Sequence, residues 1–147
     1  AGAAARAILG RFVQIYGKFP TPEQVLETRD VKLRKTGLSF TKIKYIKQLS
    51  QKITKNEINL KKISKLPDQD IINELIKING IGKWTAQMYL MFSLKRLDVL
   101  PVDDLGIKKG IMKIFSLNQL PDAKTIEKLT DHWKPYRSIA SWYIWQI

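Results

Sequence analysis

The stretch Leu75-Ile76-Lys77-Ile78-Asn79-Gly80-Ile81-Gly82-Lys83-Trp84-Thr85-Ala86 joins two segments whose apolar residues recur at helical spacing, and its reading decides the fold. Upstream, Asp68 or Asp70 is placed to cap a helix over residues 71–78; downstream, residues 83–94 read as a second helix. A helix–turn–helix hairpin over about 71–94 is the expected local structure. Gly80 and Gly82 precede the second helix, where free N–H groups point outward and no side chain blocks an approaching phosphate oxygen. A dinucleotide-binding reading fails, because it requires a buried strand before the glycines and a third glycine, and position 85 is Thr. Taken alone, the two glycines fit a plain tight turn equally well. Lys77 and Lys83 beside them, in a strongly basic chain, favour a phosphate contact.

Working outward, the remaining apolar segments also repeat at helical spacing, so the chain is all-α. Ala7, Ile8, Phe12, Ile15 and Tyr16 form a stripe over residues 1–17. Thr21-Pro22-Glu23 is a cap, a proline at the first helical position and an acid in the first turn, opening a short helix through Thr28. Asp30 is expected to cap a helix over 31–35 that Gly37 closes. Residues 40–53 place Ile43, Ile46, Leu49 and Ile53 on one face and lysines mostly on the other. One short helix among loops is expected in 54–65. Beyond the hairpin come a loop over 95–102 and helices over 104–115, 122–133 and 136 to the end. No fixed-period repeat or low-complexity tract is visible.

With 147 residues the chain suits one compact domain or two small lobes sharing a core. Lys and Arg number 26 against 13 Asp and Glu, a formal +13, so polyanions are the natural partners. The 44% hydrophobic and 10% aromatic content is too high for a disordered basic tail. With no cysteine, the chain has no disulfide, thiol nucleophile or iron–sulfur cluster. No acidic cluster suits zinc or magnesium, and no apolar run approaches the ~20 residues that span a bilayer. An intracellular protein is expected. The lysines at 42, 44, 47, 52, 55, 61, 62 and 65 read as a solvated face that adds long-range attraction. His132 has no ligand-spaced partner and is assigned no chemistry. Trp133 and Trp142 are expected in the core. Arg137 suits an ion pair, a helix-end contact or a phosphate.

Asp103-Asp104 follows Gly82 by 22 residues at the second aspartate, enough for a helix to rise and a loop to return toward the hairpin. Either acid serves as a helix cap, and a carboxylate there stays ionised, stabilised by free amides and the helix dipole. The two roles, cap and reactive anion, are compatible.

Three ordered motifs, Gly80-Ile81-Gly82-Lys83-Trp84-Thr85-Ala86, Pro101-Val102-Asp103-Asp104-Leu105-Gly106-Ile107-Lys108 and Trp133-Lys134-Pro135-Tyr136-Arg137-Ser138, resemble the helix–hairpin–helix (HhH-GPD) DNA glycosylase superfamily. Tyr16-Gly17-Lys18-Phe19-Pro20-Thr21-Pro22 is also similar, so the resemblance spans nearly the whole chain. The most similar branch is the alkylation-repair one, 3-methyladenine DNA glycosylase of the inducible bacterial type with its archaeal and fungal relatives.

The resemblance implies two small helical lobes with the active site in the cleft between them, and a single glycosylase domain over 1–147 that lacks an upstream segment carrying the residue that fills the gap of a flipped base. It implies a monomer acting on duplex DNA with damaged bases, in the cytoplasm or nucleoid of a prokaryote or the nucleus of a eukaryote, and no membrane. Asp104 matches the catalytic acid, with Asp103 the alternative if the loop is shifted by one. Trp84, Met88, Leu105 and Trp145 match the base pocket; Met88 stands where relatives often carry an aromatic ring. Gly80, Ile81, Gly82, Lys83 and Thr85 match the residues that grip the DNA backbone. The carbonyls of Ile76, Ile78 and Ile81 match a hairpin site for a monovalent cation such as Na⁺ or K⁺, with no other cofactor required. Lyase-competent branches carry a Schiff-base lysine where this chain has Trp84, so hydrolysis without lyase activity is implied. Two alternatives remain: a non-catalytic DNA-gripping module, and a glycosylase for uracil, oxidised guanine or a mismatch.

Overall fold

A computed structural model describes residues 2–147, and all regular structure among them is helical. The helices are α1 (Gly2–Tyr16), α2 (Pro22–Glu27), α3 (Asp30–Arg34), α4 (Phe40–Thr54), α5 (Leu60–Ile63), α6 (Asp68–Leu75), α7 (Lys83–Met88), α8 (Leu105–Ile114), α9 (Ala123–Thr130) and α10 (Arg137–Ile144). A π-helical turn, Tyr89–Ser93, continues α7, and a 3-10 turn, Asp131–Trp133, continues α9. None of these helices is long and apolar enough to cross a membrane. The chain divides into two compact units, one formed by residues up to Ile63 with Ile78–Gly80, the other by Ser64–Lys77 with Ile81–Ile147.

In the first unit, Val25, Leu33, Ile43 and Ile78 are buried. Thr21 and Gln24 close a reciprocal capping box on α2, with bonds of 2.9 and 3.2 Å, and Ser39 caps α4. Asp30 is not the cap the sequence suggested. Arg29 holds that position without a side-chain bond, and Asp30 lies inside α3, where its carboxylate pairs with Lys47 at 2.6 Å. Lys47 therefore leaves the solvated lysine face: its ammonium also donates to the Thr28 carbonyl at 2.6 Å, and its side chain is only 25% exposed. Helix α1 buries no residue fully, and Ile8, Phe12, Ile15 and Tyr16 are half-buried. Gly80 has a left-handed φ of 88°, and the Tyr45 ring fills the space its Cβ would need, 2.5 Å away.

In the second unit, Leu100, Val102, Ile107, Ile111, Ile126 and Ile144 form the core, with Phe115, Trp133 and Trp145 against it. Trp133 takes the packing role expected, its ring 5.9 Å from Phe115, and the exposed His132 ring meets its edge. Gly110 on α8 leaves the space that Ile144 of α10 enters, so the two helices approach closely. Two expected boundaries shift. Helix α6 starts at Asp68 behind Pro67, so neither Asp68 nor Asp70 caps it; Asp68 instead pairs with Arg96 at 3.0 Å. It ends at Leu75, three residues early, with Ile76 as its C-cap.

Candidate active site

The second unit brings Trp84, Asp104 and Trp145 together. Asp104 is the N-cap of α8, and its Oδ2 accepts the Ile107 backbone N–H at 2.9 Å. The same oxygen accepts the Trp145 indole N–H at 3.0 Å, and Oδ1 accepts the Trp84 indole N–H at 2.9 Å. Partial burial pushes the Asp104 carboxyl up, but the bonds from Trp145, Ile107, Trp84 and the Gly106 amide outweigh it. The group is held below the usual carboxylate range and is an anion at neutral pH. Cap and candidate reactive anion are thus one residue. Asp103, the alternative, is exposed and pairs with Lys83 at 3.4 Å.

Three elements deliver these groups. Trp84 sits in the first turn of α7; Met88, half-buried, stands one turn further along the same face. Trp145 is the C-cap of α10. Gly106 permits its approach, since a Cβ there would stand 3.0 Å from both the Asp104 carboxylate and the Trp145 ring. Leu105, directly after Asp104, is exposed.

The segment leading into Asp103-Asp104 is stitched to α10 by polar groups, of which Arg137 takes the ion pair among its expected roles, while Asp98, Ser138 and Ser141 were not foreseen. The Asp98 carboxylate accepts the Arg137 guanidinium at 2.7 and 2.9 Å. That bond lowers the Asp98 carboxyl against the cost of burial and raises Arg137, so Arg137 is committed to an ion pair. The Ser138 hydroxyl donates to the Arg96 carbonyl at 2.6 Å and accepts the Val99 N–H at 2.8 Å; the buried Ser141 hydroxyl lies 3.1 Å from the Val99 carbonyl. Arg96 also reaches back to the Ser64 carbonyl at 2.6 Å. A lone acid within Leu97-Asp98-Val99-Leu100 and two serines at helical i, i+3 spacing were the available signals.

Phe92 was missed as well. Its ring stacks on Trp145, with centroids 6.3 Å apart, and meets the edge of Trp142 at 6.4 Å. Trp142 is 53% exposed and so does not pack in the core as expected; it stands at the outer end of this row of rings.

At the start of α7, Gly82 is the extended N-cap and no side chain covers the N–H groups of the first turn. Lys83 and Thr85 are exposed beside them. Among the described residues, no hydrogen bond reaches the carbonyls of Ile76, Ile78 or Ile81. Among the described residues no group of three or more acidic or histidine side chains could hold a metal, so a cation in the hairpin would rest on carbonyl oxygens.

Comparison with known proteins matches residues 1–135 to a family model described as HhH-GPD superfamily base excision DNA repair protein. The chain is 37% identical to the alkylbase DNA glycosidase-like protein mag2 of Schizosaccharomyces pombe, the match covering 99% of this chain and 70% of that protein. It is 36% identical to DNA-3-methyladenine glycosylase 1 of the same yeast, over 97% of this chain and 64% of that one. The structure of the S. pombe 3-methyladenine DNA glycosylase Mag1 in complex with abasic DNA superposes with a TM-score of 0.86 at 35% identity, covering 97% of this chain and 70% of that chain. The chain thus spans about two thirds of the length of these relatives.

Proposed function

The chain belongs to the HhH-GPD superfamily of base excision DNA repair proteins, and from that premise we propose that it is a DNA glycosylase that removes alkylated bases of the 3-methyladenine kind from duplex DNA by hydrolysis. The observation that carries this reading is Asp104, ionised and aimed by indole and backbone N–H donors, with one of those indoles, Trp84, 52% exposed.

An enzyme that acts on a base must first extrude it from the stack. Breaking the N-glycosidic bond sends its electron pair to the departing base and leaves an oxocarbenium-like sugar, which a fixed carboxylate stabilises. Asp104 supplies that charge; water then adds to the sugar carbon and gives up a proton. An alkylated purine of this kind is already cationic, so it departs without a strong general acid, and the electron-rich Trp84 and Trp145 faces attract it by roughly 0.5–2 kcal/mol each. Met88 and Leu105 complete the assigned pocket. With indole at position 84 there is no Schiff-base lysine, and the reaction stops at the abasic site.

Backbone amides after Gly82, with Gly80, Ile81, Lys83 and Thr85 of the same contiguous stretch, are assigned to a DNA phosphate. The uncommitted carbonyls of Ile76, Ile78 and Ile81 suit a hard monovalent cation that would add positive charge there. Such work places the protein at the chromosome, in nucleoid or nucleus.

The test is incubation with duplexes carrying 3-methyladenine, 1,N6-ethenoadenine, hypoxanthine or uracil, scored for abasic sites. Release of 3-methyladenine without strand cleavage is expected. Binding without release of any base would leave a DNA-gripping module instead, and a borohydride-trapped covalent adduct would contradict hydrolysis alone.

A further inference from the structure

Ring faces are only half of what Trp84 and Trp145 offer. Each turns its indole N–H to a different oxygen of one carboxylate, 2.9 Å to Oδ1 and 3.0 Å to Oδ2. A phenylalanine would supply a ring face, though a smaller one, but no N–H, and a tyrosine hydroxyl would not lie on the indole edge; the N–H is what these two positions add. Oδ2 accepts from both Trp145 and the Ile107 amide, and Oδ1 accepts from Trp84, with the Gly106 amide also bonding the carboxylate. Trp145 is itself held by the stacked Phe92 ring. Phe92 reaches it from the π-helical turn, where the Leu94 N–H bonds the Tyr89 carbonyl five residues back.

We propose that Trp84 and Trp145 are positioning residues that clamp the Asp104 carboxylate through their indole N–H groups, with Oδ2 as the anchored oxygen and Oδ1 as the one presented to the reacting sugar. This rests on the glycosylase reading for its purpose but not for its geometry. The clamp opposes the tendency of a partly buried carboxylate to take up a proton, and it fixes the direction of the charge. Charged and titratable groups on the elements around it are otherwise engaged or elsewhere: Lys83 on α7 pairs with Asp103, and Arg137 on α10 pairs with Asp98. Among the described residues, the bonds to the carboxylate come from Trp84, Trp145 and the amides of Ile107 and Gly106, and none from Tyr89 on the π turn or from Lys108, Lys109 and Lys113 on α8.

The test removes the N–H in two ways: Trp84→Phe and Trp145→Phe keep an aromatic face of smaller area, and at each position the isosteric 3-benzothienylalanine in place of Trp keeps the bicyclic ring, which guards against a packing defect in the Phe variants. Carboxyl ¹³C NMR of the free protein follows the Asp104 titration, and single-turnover excision is measured against pH. Asp104 is expected to titrate at higher pH in every variant. The maximal excision rate should fall about 10-fold or more with KM little changed, and the acid limb of the profile should move up. An Asp104 titration unchanged in the benzothienyl variants, or a loss confined to KM, would overturn the clamp and leave the rings as stacking surface alone. A shifted titration in a protein that excises no alkylated base would uphold the clamp and refute the proposed function.

Discussion

The two units divide charge from chemistry. The first carries 14 Lys and Arg against 4 acids, and the second 12 against 9, so the formal charge of +13 is concentrated where no reactive constellation lies. The first unit uses its polar side chains mostly at the surface: α1 buries nothing fully, and Lys52 and Glu57 form an exposed pair at 3.4 Å. In the second, Asp98, Arg137, Ser138, Ser141 and Asp104 are tied into one framework of hydrogen bonds that ends at the carboxylate. Diffuse, sequence-independent attraction needs only the sign and number of charges, whereas stabilising a developing cation needs one charge at one place.

Stability measurements can break that division. Arg137→Met leaves the half-buried Asp98 carboxylate without its guanidinium partner, and should cost about 1.5–3 kcal/mol in denaturant unfolding. Gly110→Ala forces a methyl group against Ile144, and a loss of about 1–3 kcal/mol is expected in the same assay. Lys47→Met removes a half-buried lysine latch of the first unit and should cost about 1 kcal/mol. Lys52→Met should cost less than about 1 kcal/mol, the usual worth of an exposed pair. A larger loss for Lys52 than for Arg137 would remove the distinction.

Acid sharpens the comparison. Asp98 and Asp104 both have depressed folded-state values, so the stability they contribute is complete above the unfolded carboxylate value of about 3.9. It is lost as pH falls through their lowered folded-state values. Melting temperature should therefore hold down to about pH 4 on their account and drop below it, and Asp98→Asn should flatten that drop. Salt acts on the other unit. DNA affinity should fall steeply between low and physiological ionic strength, and replacing Lys42, Lys44 and Lys55 by Gln should reduce that slope while leaving the rate of base release from bound DNA unchanged.

Much of this was legible in the sequence because caps and periodicity are local signals. Thr21-Pro22 and Asp104 announce helix starts through side chains that reach their own backbone. Asp30 and Asp68 misled for the complementary reason: each found a distant cation, Lys47 or Arg96, that no local rule anticipates. The π turn was unreadable, since five residues are too few for periodicity to separate it from an α-helix, though Trp84, Met88 and Phe92 at spacings of four were in view. Asp104 could be singled out by its motif, whereas its partners could not. Trp145 reaches it across 41 residues, and the Asp98–Arg137 pair that steadies the approach spans 39.

The measurement that bears most directly on the division of labour is Asp104→Asn assayed for two properties on one duplex containing 3-methyladenine. The account predicts that base release falls by at least about 10²-fold, as when a transition-state electrostatic partner is removed, while duplex affinity at fixed salt stays within a few-fold of wild type. Full release by Asp104→Asn, or a parallel collapse of binding in a folded protein, would contradict it.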